Sequence, residues 1–275
     1  MMSDKKICDY CSADNTIDNS HVVPNFVGKY IKENSSTGKL LNSWERKPQQ
    51  DIFKGKYLCE KCDNEVFSSW EKEFANTIWR DPEHSEEHWN NESTIKFILS
   101  LAYRYALHFL ETSPMPKNRA YTECVRSKTL AALKDSDLVG KEIFIYPYVF
   151  QPIVQDTKLI PGINHFLNLA IHGQSLPKEN DYPNAFLIVI PRMMFLICDS
   201  DLSDSSAVSE IIGLNQLMKN GEFFPLQSNT NLPEFIYPVL NGYIGGSQGH
   251  QKDIRRWDET KYKSDEELHP DKVCY

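Results

Sequence analysis

The apolar positions change period along the chain, and the elements follow from that. In VFSSWEKEFANTIWR, residues 66–80, Val66, Phe67, Trp70, Phe74 and Ile78 recur at near-helical spacing, which predicts an amphipathic helix. STIKFILSLAYRYALHFLET, residues 93–112, is apolar on nearly every side. It predicts a helix capped by Ser93 or Thr94, buried between other elements, and stopped by the prolines of SPMPK. NRAYTECVRSKTLAALKDS predicts a second, more amphipathic helix ending near Gly140. From residue 142 the texture becomes strand-like: EIFIYPYVF, INHFLNLAIHG, AFLIVIP and MMFLICDS are short, rich in β-branched or aromatic residues, and bounded by turn formers. The last two, interrupted at Pro191-Arg192, read as two short buried strands. SSAVSEIIGLNQLMKNG predicts a helix with Gly221 just past its end. The expected fold class is α+β.

The polar stretch DPEHSEEHWNNE, residues 81–92, is the expected boundary. It separates an N-terminal unit, residues 1–80, from an α+β domain over 93–245 with no identifiable chemistry. A polar tail, 246–275, is expected to be weakly ordered or draped on the surface. His84 and His88, at i and i+4, would share a metal only if their segment were helical; a solvated loop is the expected reading. His165 and His172 would face opposite sides of a strand and form no site. There is no internal repeat and no glycine-rich phosphate loop.

Composition narrows the class. The chain has 275 residues, 40% hydrophobic and 25% charged, as in ordinary soluble proteins. The start, MMSDKKICDYC, lacks an apolar secretory core, and no apolar run approaches the roughly 18 residues that span a bilayer. A cytoplasmic protein without a membrane partner is expected. The net charge of −8 argues against a general polyanion binder. A local exception runs from Lys29 to Lys56, where Lys29, Lys32, Lys39, Arg46, Lys47, Lys54 and Lys56 face only Glu33, Glu45 and Asp51. Trp44 sits in that stretch, and packing of the loop is its expected role.

Seven cysteines, an odd number, argue against a disulfide scaffold. Four of them form two C-x-x-C pairs, Cys8/Cys11 and Cys59/Cys62, separated by residues 12–58. One such pair alone could be a redox couple. Two pairs supply the four thiolates of a tetrahedral zinc site, with a substructure inserted between the knuckles. Cys124, Cys198 and Cys274 are expected to be unligated, with Cys198 buried in a strand.

His21, in S-H-V-V-P, is surplus once zinc has four thiolates. C-x-x-C, S-H-V-V-P and Y-L-C-E-K-C-D-N-E together resemble the zinc-stapled branch of the HNH (ββα-metal) endonucleases, over roughly residues 7–75. The resemblance implies a structural Zn²⁺ on Cys8, Cys11, Cys59 and Cys62, and His21 as the general base that activates water. It also implies a nearby Mg²⁺ or other divalent cation. The family's Asp before the histidine is Ser20 here, and its Asn or His after the last cysteine is Asp63, the candidate ligand for that cation. The family's middle Asn has no clear counterpart near Gln50 and Asp51. On this resemblance the expected partner is nucleic acid, preferentially DNA, met by Arg46, Lys47, Lys54 and Lys56. Fusion of such domains to unrelated partners in bacterial and phage conflict systems gives the C-terminal half an expected sensing role, with a protein partner or homo-oligomer. The alternative is an inactive zinc-stapled module that binds nucleic acid or protein, in which His21 is structural.

Overall fold

A computed structural model describes residues 6–13, 15–34, 40–42, 47–49, 51–82, 85–112, 119–150, 171–176, 185–199, 201 and 226–228. In the N-terminal part, β1 (Ser20–His21) pairs antiparallel with β4 (Lys54–Gly55). Between them lie α1 (Asn25–Asn34) and an antiparallel hairpin of β2 (Leu40–Asn42) and β3 (Lys47–Gln49). This is the substructure expected between the two knuckles. After the second knuckle the chain enters a π-helical stretch, Cys62–Phe67, which runs into α2 (Ser68–Asn76). The predicted face holds: Phe67, Trp70, Phe74 and Ile78 are all buried.

Helix α3 (Glu92–Thr112) is buried continuously from Phe97 to Leu107, as an all-round apolar helix must be. It packs against α2 and α4 (Arg119–Lys134). The C-terminal sheet has the order β6-β7-β8-β5-β9, with β5 (Phe144–Phe150), β6 (His172–Leu176), β7 (Ala185–Ile190), β8 (Met193–Cys198) and β9 (Leu226–Ser228). Neighbours are antiparallel except β5 and β9. Every residue of β7 and β8 is buried, which is why neither alternates in sequence. Cys198 is buried in β8 as expected. The strand expected over INHFLNLAIHG begins only at His172 and continues to Leu176; the earlier residues lie outside the described set. So do the helix expected before Gly221 and the polar tail. The whole is a mixed helix-and-sheet protein of the α+β type. Among the described residues no helix is long and apolar enough to cross a membrane.

One hydrophobic cluster joins these parts. The Phe74 ring of α2 stacks on Phe97 of α3 at 3.9 Å and meets Trp89 and Phe195 of β8 edge-on, each at 6.4 Å. Trp89 is fully buried, so the polar 81–92 stretch contributes a core residue. The β7–β8 turn adds a second joint. Arg192 holds a positive φ of 67°, uncommon for a non-glycine residue. Its guanidinium lies 5.3 Å from the Tyr30 ring and 4.9 Å from the Trp79 ring, and it donates to the Trp79 carbonyl. The three contacts give a reason for that backbone conformation to persist.

Gly55 permits a close crossing in β4. The Tyr57 ring lies where a Cβ at Gly55 would project. Tyr57 has little room to yield, being 2% exposed with its hydroxyl 2.9 Å from His108 Nδ1. Gly55→Ala is expected to lower unfolding free energy by about 1–3 kcal/mol, as overpacking does. An unchanged urea midpoint would show that the ring is free to move.

Candidate metal centre and the His21 site

The first knuckle turns sharply. Ser12 has φ 62°, its N–H donates to the Cys8 carbonyl at 2.8 Å, and the Cys8 N–H donates to Ala13 at 2.8 Å. The knuckle is then sewn to the second. Asp9 N–H donates to the Tyr57 carbonyl at 3.2 Å, Ile17 N–H to Leu58 at 2.9 Å, and Thr16 bridges Cys59. These bonds bring two C-x-x-C pairs, distant in sequence, to one point.

The four Sγ atoms of Cys8, Cys11, Cys59 and Cys62 lie within 4.8 Å of one another, and could hold a metal ion. The Cys11–Cys59 separation is 3.6 Å. Zn–S bonds of about 2.3 Å at tetrahedral angles require sulfurs about 3.8 Å apart, so the donor set fits zinc. Cys8, Cys59 and Cys62 are buried, and Cys11 is exposed. The backbone around the sulfurs favours thiolate: the Ala13 N–H, aimed at Cys11, is the main cause that draws its thiol down to about 7. Burial pushes Cys8 and Cys62 up, so a cation is what would hold all four as thiolates together.

Asp9, inside the first C-x-x-C, has a role that the spacing concealed. It accepts from the Tyr103 hydroxyl at 2.8 Å and from Arg126 Nη1 at 2.9 and 3.2 Å. The knuckle is therefore tied directly to α3 and α4.

His21 lies on β1, half-buried, opposite Lys54 in register. Burial and the Lys54 charge hold its pKa below the usual histidine value, against the pull of the Asp51, Asp63 and Glu71 carboxylates. The imidazole is therefore neutral at pH 7 and able to accept a proton. Ser20 is fully buried, and its Oγ accepts from the Leu58 N–H at 3.2 Å. The hydroxyl that stands where the family has a ligating Asp is thus turned into the fold. Asp63 is half-buried in the π-helical stretch, and its N–H donates to the Cys59 carbonyl at 3.0 Å. Among the described residues, the four cysteines are the one group with three or more potential ligand atoms so close together.

Three of the seven basic residues are paired with acids. Lys54 pairs with Asp51 at 2.6 Å and Lys56 with Asp18 at 2.8 Å. Lys29 lies 3.8 Å from Glu33. Lys47 is placed by its backbone opposite Asn42, and Arg46 and Trp44 lie outside the described residues, as does His84. Trp70 and Trp89 are core residues, and Trp79 packs on Phe26, Tyr30 and Arg192. His88 sits in a single 3-10 turn, 3.3 Å from Glu87.

Sequence reasoning missed Arg104 and Glu71. Arg104, buried in α3, donates to the carbonyl of His21 at 3.0 Å and to Glu71 at 2.7 Å. The available signal was a single arginine in the middle of an otherwise apolar helix. No protein-family model matches the chain, and neither a curated protein nor a solved structure is significantly similar to it.

Proposed function

We propose that this protein is a metal-dependent endonuclease of the HNH type, acting on DNA in the cytoplasm, with a structural Zn²⁺ on Cys8, Cys11, Cys59 and Cys62. The observation that carries the reading is the placement of His21. It is a neutral, half-buried imidazole on a strand–strand–helix unit pinned by four thiols, with Asp63 on the helix. Three carboxylates act on its ring through their charge.

In the proposed reaction His21 takes a proton from water as the water oxygen attacks phosphorus, and the ester P–O bond to the leaving oxygen breaks. A divalent cation, when bound, would neutralise charge on the phosphate and leaving oxygen. Mg²⁺ needs only one or two carboxylates when phosphate and water complete its shell, and Asp63 is the candidate donor. Lys54 and Lys56 are held in exposed ion pairs, which are weak enough to open toward a phosphate. The C-terminal half would supply the sensing or partner surface of a defence system.

The inward-turned Ser20 hydroxyl favours the alternative, a zinc-stapled binding module without the reaction. One experiment separates them. Purified protein and His21→Ala, each with its zinc content measured, are incubated with plasmid DNA and Mg²⁺, Mn²⁺ or Ni²⁺. Cleavage by the parent, falling by about 10²–10⁴-fold in the variant, is the expected result. Retention of DNA without cutting under every metal would establish the module instead.

A further inference from the structure

Arg104 lies outside the segment that carries the cysteine–histidine pattern, yet it reaches into that segment at two places. It is 1% exposed. Its Nη1 donates to the His21 carbonyl at 3.0 Å and to Glu71 Oε1 at 2.7 Å. Its Nε donates to the Ser100 carbonyl at 3.3 Å and its Nη2 to Ser100 Oγ at 3.2 Å, which locks the fork. The guanidinium lies 5.5 Å from the Phe67 ring centroid.

We propose that Arg104 is a positioning residue for the His21 site: it fixes the backbone of the strand that bears the imidazole and clamps Glu71 beside it. The proposal rests on the nuclease reading of His21. A buried arginine–carboxylate pair is an expensive way to fill a core, and apolar residues of equal volume commonly give equal or greater stability. What the pair supplies is fixed geometry. One planar guanidinium links a strand, the helix after the second knuckle, and α3, and a lysine has no such fork. A misplacement of about 1 Å at a reacting group can cost about a hundredfold in rate, so a rigid link of this kind has a kinetic use. Among the described residues, the charges acting on the His21 ring come from Lys54 and Asp51 at β4 and its approach and from Asp63 and Glu71 on the helical run, while Arg104 of α3 holds the His21 carbonyl.

The test uses full-length, zinc-loaded protein with ¹³C-labelled histidine, and the variants Arg104→Lys and Glu71→Gln. The His21 ring resonance is assigned by its loss in His21→Gln. Both variants are expected to shift that resonance while His88 and His172 stay in place and zinc content is unchanged. On plasmid DNA with Mg²⁺, kcat is expected to fall by about 10- to 100-fold with KM within about twofold. Glu71→Gln keeps an acceptor for Arg104 and so provides a folded variant even where Arg104→Lys does not. A His21 resonance that stays put in the folded variants overturns the proposal. So does a uniform shift of all histidines with a lowered melting temperature, which marks a general structural role. A parent protein that cuts nothing counts against the nuclease reading alone, and the resonance comparison still decides the positioning role.

Discussion

With zinc on the four thiols, as proposed, its removal is expected to unfold the N-terminal part and to drag the rest of the core with it. Structural zinc sites contribute on the order of 10 kcal/mol in small zinc domains, where binding and folding are one event. The same logic applies here because the direct joins between the knuckles are short, although both share in the common hydrophobic cluster. The joins between them are a few backbone bonds and a two-residue strand pair. Without the cation, three buried sulfurs crowd against a fourth. The loss would not stay local. Phe67 and Phe74 follow the second knuckle on one helix, and Phe74 stacks on Phe97 at 3.9 Å. Asp9 carries a second link through Tyr103 and Arg126. Chelator titration followed by circular dichroism should show loss of helix beyond residues 60–76, and Cys59→Ser should reproduce it without chelator. Cobalt substitution should give the thiolate charge-transfer bands of a tetrahedral S₄ site. A melting curve unchanged after verified metal loss would remove zinc from the account of stability.

Acidification is expected to destabilise the protein, with His172 a principal cause among the described residues. His172 is 3% exposed on β6, and burial pushes its pKa down to about 3. Its Nε2 lies 3.2 Å from Gln174 Oε1, so the neutral Nε2–H tautomer donates there. Above pH of about 6.5 the ring is neutral in both folded and unfolded chains, and its full contribution is present. Below that, the unfolded chain binds a proton that the folded chain refuses, so stability falls with pH until the folded value near 3 is reached. At about 1.4 kcal/mol per unit the total is on the order of 5 kcal/mol. His21 and His108 are lowered in the same direction by burial and steepen the fall. Urea midpoints at several values between pH 7 and 4 should decline in the parent and decline less in His172→Gln. Parallel declines in the two proteins would remove His172 from the account of acid sensitivity.

The parts that were legible in the sequence are those in which the cause is local. An apolar helix face, an uninterrupted buried strand and a ligand pair in C-x-x-C each need only a few adjacent residues. α3, α4, β7, β8 and the four-cysteine cluster accordingly lie where the pattern put them. What remained hidden depends on pairing across the fold. β1 and β4 are two residues each, too short for an alternating pattern to register. The role of Asp9 could not be read locally, because its partners lie more than ninety positions away. Lys54 and Lys56 looked like a phosphate-binding run because Asp18 is distant in sequence, although Asp51 was near enough to have signalled one of the two pairs. Ser20 was visible as a departure from the resembled pattern; where its hydroxyl turns depended on Leu58.

The π-helical stretch at Cys62–Phe67 has a consequence for phase. Each α-helical residue advances the azimuth by about 100°, so a wider turn resets the direction of everything after it. Cys62 and Asp63 open the stretch and Phe67 closes it, so the directions of Trp70 and Phe74 in α2 are set by the wider turn that precedes them. The ligand end and the core end of one continuous rod are thereby offset in phase by a fixed angle. That offset lets a single rod present Cys62 to its three partner thiols at one end and Phe74 to Phe97 at the other, so deleting one residue from the stretch would turn one of the two faces away.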